Sequence, residues 1–387
     1  MCAPTTAKEQ PQQQRLRKIP LLTRINIFLI NLAFAVLHVI LKPTGLEPII
    51  SALAVGNLFG LILPCFGVIA VLAHIIVGPI LNAFLPNAYE TYVLEYKWQW
   101  FGALFLLNVL VGLMDDSHHD VEGANNRLKS STNPIIQASN AFWMSSFEYV
   151  QMTVKPWAED ATLPLNRQYI FACHPHGIHC MPLAIFHGKG TAFDRRFPGI
   201  CENKLSGLAA SVVFRLPGVR EFFLSLPYID ASRHVVERAL RADRSIFVCT
   251  GSGEESLLTK PGEDTLVLSR RKGFVRLALS FGCDIVPIFG VGNSDLFKTY
   301  SWGMGFRMWL QKRLHISIPI FHGRYLTPLP YKKPVTVLVG EPLCLPKPKV
   351  RGEKPDDELV EKYLKIYIER VKELHKQNTV GRKLQII

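Results

Sequence analysis

The chain has 387 residues, 48% of them apolar, with a formal charge of +13 and a mean hydropathy of +0.16. That length holds one large domain or two ordinary ones, and the hydropathy is high for a wholly soluble enzyme. The charge fits nucleic acid, an anionic membrane surface or a polyanionic substrate; the absence of a known nucleic-acid motif or a basic–aromatic platform argues against the first.

Residues 1–20 are polar, Gln-rich and Pro-flanked, which predicts a disordered leader. Three long uncharged stretches follow: Ile25–Leu41, a longer one between Glu47 and Glu90 broken by Pro64, Gly67 and Pro79, and Trp98–Met114. A helix needs roughly 20 apolar residues to cross the hydrocarbon core, so 21–114 is expected to form membrane-embedded helices, the middle stretch being long enough for a hairpin. Arg15, Arg17, Lys18 and Arg24 precede the first stretch and no small-residue cleavage site follows it. It reads as a retained anchor with its basic flank in the cytosol. Residues 115–137 are acidic and turn-rich, a linker between the membrane part and a globular part.

From 138 to 387 short β-rich runs alternate with amphipathic stretches. Tyr169–Cys173, Ser211–Phe214, Ser245–Cys249, Asp284–Gly290 and Val335–Gly340 read as strands. Ser232 is placed to cap one helix and Gly282 to end another. Near the C-terminus Val360, Tyr363, Leu364, Tyr367, Val371 and Leu374 form one helical stripe. Such alternation predicts an α/β domain with a mostly parallel central sheet. The eight cysteines (2, 65, 173, 180, 201, 249, 283 and 344) show no C-x-x-C pair and no disulfide spacing, which fits reduced thiols facing the cytosol.

The segment "YIFACHPHGIHC" (169–180) crowds three histidines and two cysteines behind an apolar run. Five candidates within eight residues do not suit one tetrahedral ion, and a loop that merely contains histidines remains open. A general base fits the geometry better: Pro175 and Gly177 force a turn past a buried strand, and parallel sheets bind ligands at the carboxyl ends of their strands. His176 is the residue so presented. A second strand ends similarly in "SIFVCTGSGEESL" (245–257), where Gly251 and Gly253 lead into Glu254 and Glu255. Thr250 rules out a G-x-S-x-G elbow, and no Gly-Lys-Ser/Thr follows as a Walker loop requires.

These runs, with "RRFPGI" (195–200), "FRLPGVREF" (214–222), "GSGEESL" (251–257), "RKGFVRLALSFGCDIVPIFGVG" (271–292), "IFHGR" (320–324) and "VGEPL" (339–343), resemble the type-2 diacylglycerol acyltransferase family, which includes monoacylglycerol acyltransferases and wax synthases. The resemblance covers roughly residues 140–377. It implies a membrane-anchored enzyme of the endoplasmic reticulum, and of lipid droplets, with its glycerolipid-acyltransferase-like domain facing the cytosol. Such an enzyme carries an acyl chain from acyl-CoA to diacylglycerol or another neutral-lipid hydroxyl, among membrane lipids, with no metal and no cofactor beyond the acyl-CoA co-substrate. A homo-oligomer is compatible with it.

On that resemblance His176 is the general base, His174 is the first motif histidine and Glu255 is the acid after the glycine turn. Wider glycerolipid acyltransferases carry a His-x4-Asp pair, but Met181 stands five residues after His176, which puts more weight on Glu255. The chain departs from the family in carrying Glu254 as a second carboxylate and in Asn293, where the family has Glu. Backbone N–H groups at Gly177, or at Gly251 and Gly253, are candidates to hold an oxyanion. Arg215, Arg220, Arg270, Arg271 and Lys272 are candidates for the CoA phosphates. A non-catalytic lipid-binding protein, a monoacylglycerol acyltransferase and a wax synthase are the alternatives.

Overall fold

The computed structural model describes residues 21–49 and 150–387 apart from 188, 189, 203, 217, 218 and 380, with isolated positions between 110 and 149. The expected leader, and all but the edges of the second and third apolar runs, lie outside the described residues.

The described elements are, in order, helix α1 (Leu21–Leu41), β1 (Thr153–Pro156), β2 (Tyr169–His174), α2 (Ala192–Arg196), β3 (Leu205–Ala209), α3 (Val219–Ser225), β4 (Tyr228–Asp230), α4 (Arg233–Arg241), β5 (Ser245–Cys249), α5 (Ser252–Leu258), β6 (Glu263–Leu266), α6 (Gly273–Phe281), β7 (Asp284–Val291), β8 (Lys298–Tyr300), α7 (Met304–Leu314), β9 (Ile320–His322), β10 (Thr336–Val339), α8 (Asp357–Asn378) and β11 (Lys383–Ile386). Seven strands form the main sheet in the order β1-β10-β7-β2-β5-β3-β4, and only the β10–β7 pair is antiparallel. The expected α/β fold with a mostly parallel sheet is what the chain adopts.

Period-2 alternation sorts the central strand between two cores. Tyr169, Phe171 and Cys173 enter one apolar cluster, and Ile170 and Ala172 the other, with Val360, Leu364, Tyr367 and Val371 of α8. Both faces of β2 are therefore covered, as parallel strands require, and its end is aimed from inside the molecule. Gly282 closes α6 in the left-handed region (φ 69°), as its sequence position suggests.

The run Ser211–Phe214, expected as a strand, is a 3-10 turn, and the strand is Leu205–Ala209 just before it. A run of four residues, three of them apolar, carries no period, so tertiary fit decides. Gly207 fits where a Cβ would lie 2.6 Å from the rings of both Phe247 and Tyr228.

The first apolar run was expected to anchor the chain across a membrane. Among the described residues no helix is long and apolar enough to do so. Instead α1 packs on α3 and buries Phe34 and Ala35 together with polar Thr23 and Asn31. The described positions of the expected linker are not a solvated tether either: Asp115, Ser117, His118 and Val121 are buried. Asp115 explains why. It accepts from the Thr23 hydroxyl at 2.8 Å and pairs with the guanidinium of Arg220, which also reaches Glu221 at 2.7 Å and Thr23 at 3.1 Å. Arg220 is only 1% exposed, so the proposed contact with CoA phosphates is corrected to a structural one: it joins α1, the Asp115 segment and α3. Removing one partner of a buried ion pair typically costs about 3–5 kcal/mol. Arg220→Ala is accordingly expected to destabilise the fold by that much in thermal or denaturant unfolding.

Candidate active site

The turn after β2 brings the two histidines to opposite fates. His174 is the last residue of the strand and continues the alternation of Ile170 and Ala172, so its ring enters the α8 side. There it is fully buried, its Nε2 2.9 Å from the Tyr367 hydroxyl and its Nδ1 3.3 Å from the Thr250 hydroxyl. Burial pushes its pKa down to about 3, so it stays neutral and acts as a fixed polar strut. The His174–Pro175 peptide is cis.

His176 is half-buried at the carboxyl end of the sheet. Its Nδ1 lies 3.0 Å from the Gly177 carbonyl oxygen. A carbonyl only accepts, so this bond places the proton on Nδ1 and leaves the lone pair on Nε2. Burial also lowers the His176 pKa from 6.5, which keeps the ring unprotonated at neutral pH. The residue after it must be glycine: φ is +62°, and a Cβ there would sit 2.4 Å from the Asn293 side-chain nitrogen.

Glu255, the acid after the glycine turn, meets the backbone of this turn and not the imidazole. One carboxylate oxygen, Oε2, accepts the backbone N–H of His176 at 2.7 Å and the other, Oε1, that of Val267 at 2.7 Å. The carboxylate clamps the turn by its backbone, and the orienting acceptor of the ring is the Gly177 carbonyl. Glu255 is wholly buried, and burial raises its pKa to about 7 against the pull of those two N–H groups and of Arg271. Gly251 leaves room for it, since a Cβ there would lie 1.7 Å from the carboxyl carbon; Gly253 packs on Ser317 in the same way.

Glu254 turns away from the histidines to Arg270 and Arg271, the latter at 3.2 Å. Of the remaining candidate CoA contacts, Lys272 pairs with Glu361 at 2.5 Å, and Arg215 is exposed at the end of its 3-10 turn with no ion pair to a described residue. The third histidine of the motif, His179, is packed edge-on against Phe297 and Phe321. Cys173 and Cys249 lie opposite each other in the β2–β5 register, and burial raises both thiols, as it does Cys180. They are poor nucleophiles as a result. Among the described residues the only cluster spaced for a metal is His118, His119 and Asp230, away from the His-Pro-His-Gly turn.

Asn293 was noted in the sequence only as a departure. Its side-chain N–H groups reach the carbonyls of Pro175 and His176, each at 3.2 Å, bracing the turn from the side opposite Glu255. An ionised Glu offers no donor for this task. Asn293→Asp points an acceptor at two carbonyls and is expected to cost about 1–3 kcal/mol in unfolding experiments, with reduced activity; Asn293→Gln should keep more of both.

The mostly parallel sheet thus ends in a turn that carries a half-buried histidine, with a buried carboxylate clamping the backbone of that turn. The sequence model for diacylglycerol acyltransferase matches residues 126–384, and the chain belongs to that family. It is 32% identical to diacylglycerol O-acyltransferase 2B of Umbelopsis ramanniana over 60% of this chain and 69% of that one. Against acyl-CoA wax alcohol acyltransferase 2 of Mus musculus the identity is 35%, over 55% and 66%, and against diacylglycerol O-acyltransferase 2 of Homo sapiens 35%, over 54% and 56%. The matches thus span roughly half to two thirds of those relatives. The crystal structure of the 1-acyl-sn-glycerophosphate acyltransferase PlsC from Thermotoga maritima aligns with a TM-score of 0.36 at 14% identity, covering 65% of this chain and 84% of that one, a likeness too slight to argue from.

Proposed function

We propose that the protein transfers an acyl chain from acyl-CoA to the free hydroxyl of diacylglycerol, with His176 as general base. The observation that carries this reading is the His176 ring, held by the Gly177 carbonyl with its Nε2 lone pair unengaged by any described residue. The acceptor hydroxyl gives its proton to Nε2 as its oxygen attacks the thioester carbonyl. The C–S bond then breaks, and the imidazolium returns the proton to the departing CoA thiolate. A general base of this kind contributes about 10²–10⁴-fold. A thioester needs no metal activation, and the raised thiols favour direct transfer over an acyl-cysteine.

Backbone N–H groups of the glycine turns, beginning at Gly177, are assigned to the developing oxyanion. Arg270 and Arg271, with Arg215, supply cationic groups for the CoA phosphates, Glu254 holding the first two in place. The setting is the endoplasmic reticulum membrane and lipid droplets, with the domain in the reducing cytosol; six described cysteines are free, which supports that side. Relatives that act on diacylglycerol and on wax alcohol are equally similar, so overall identity does not select the acceptor. The test is acyl transfer in microsomes from labelled oleoyl-CoA to a panel of diacylglycerol, monoacylglycerol and fatty alcohol. Preferential formation of triacylglycerol is the expected result, and product only with an alcohol would reassign the protein as a wax synthase.

A further inference from the structure

Helix α7 is built inside out. Its buried residues are Arg307 and Gln311, while Phe306 is 65% and Trp309 52% exposed, with Trp302 just before the helix 80% exposed. The inversion is fixed by hydrogen bonds. The Arg307 guanidinium donates to the backbone carbonyls of Trp302 at 3.0 Å, Tyr300 at 2.7 Å and Ile318 at 3.3 Å. These bonds tie both ends of the segment beneath the helix, leaving the aromatic face no way to turn inward. Phe306 and Trp309 stack with centroids 6.0 Å apart, and Leu314, Ile316 and Ile318 extend the exposed apolar strip.

The charge around this face has one sign. From Leu296 to Gly340 there is no Asp or Glu, while Lys298, Lys312, Arg313, Lys332 and Lys333 are exposed cations and Arg324 is a partly exposed one. Exposed Trp and Phe rimmed by Lys and Arg match the interfacial zone of a bilayer, where aromatic rings sit at headgroup depth and cations meet anionic lipids. We propose that α7 and its flanks dock the catalytic domain on an anionic lipid surface, separately from the N-terminal apolar runs. The face lies beside the site, because α7 packs on α5, which carries Glu255, and Ser317 fills the space above Gly253. A lipid acceptor held in the bilayer would then enter the site from this side, an inference that rests on the proposed acyl transfer.

The experiment uses the full chain reconstituted in phosphatidylcholine vesicles containing phosphatidylserine. Brominated phosphatidylcholine should quench a component of tryptophan emission that is missing from the Trp302→Phe/Trp309→Phe protein, and aqueous iodide should not. Protection of that component from both quenchers would mean that protein, not lipid, covers the face, and quenching by iodide alone would mean that nothing does; either overturns the proposal. In the Trp302→Ser/Phe306→Ser/Trp309→Ser protein, transfer to bilayer-embedded diacylglycerol should fall at least about tenfold. Transfer to a dissolved short-chain diacylglycerol should hold at the wild-type level. Equal loss on both acceptors overturns the docking role, whereas a wild-type protein inactive on both, with lipid quenching intact, overturns the acyl-transfer reading instead.

Discussion

His176→Ala is expected to lower kcat by about 10²–10⁴-fold while leaving the KM for acyl-CoA near its wild-type value. The ring meets its own backbone neighbour, and no described side chain hydrogen-bonds to it, so its removal empties the site without disturbing the core. Normal expression with more than half the activity remaining would end the mechanism. His174→Ala behaves differently, because a buried imidazole with hydroxyls on both nitrogens is lost, leaving the buried Tyr367 hydroxyl only the Ala172 carbonyl at 3.4 Å. It should lower the yield of folded protein as well as the rate.

Glu255→Ala is expected to be nearly as severe for another reason. Two buried backbone N–H groups, of His176 and Val267, lose their acceptor, at about 1–3 kcal/mol each. The turn loosens, and the rate falls with the stability, by about 10²-fold. Glu254→Gln should leave kcat nearly unchanged and act, if anywhere, on the KM for acyl-CoA, since that carboxylate pairs with Arg270 and Arg271 and not with the His176 turn. The pH dependence carries a sign. The folded pKa of about 7 lies above the ordinary 4.5, so the fold favours the protonated acid. That contribution is full below pH 4.5 and is lost as pH rises through 7. Glu255→Gln should flatten the fall in melting temperature between pH 5 and pH 8; an unchanged slope would count against the buried carboxyl as its source.

The strands at Tyr169, Ser245, Asp284 and Thr336 were legible because each is a β-rich run bounded by turn residues. The strand Leu205–Ala209, paired between β5 and β4, was not, since "LSGLA" has no β-branched residue and is selected by rings that pack over Gly207. His176 and Glu255 were found together in the sequence, but their relation was not. Adjacent carboxylates look alike in one dimension, and only the fold shows that Glu255 grips a backbone while the ring is oriented by a carbonyl. Backbone acceptors such as Gly177 leave no trace in residue type. Arg220 misled for the complementary reason: its partners Asp115 and Thr23 are far away in sequence. Tyr367 was legible as a core position of α8 but not as the partner of His174.

The measurement that bears most directly on the central claim is the pH dependence of kcat/KM for acyl transfer in the wild-type protein beside Glu255→Gln. If the Nε2 of His176 is the base, the acid limb lies below pH 6.5, where burial places that ring, and it persists in both proteins. A limb near pH 7 that disappears in Glu255→Gln would contradict this account and make Glu255 the group whose ionisation governs the reaction.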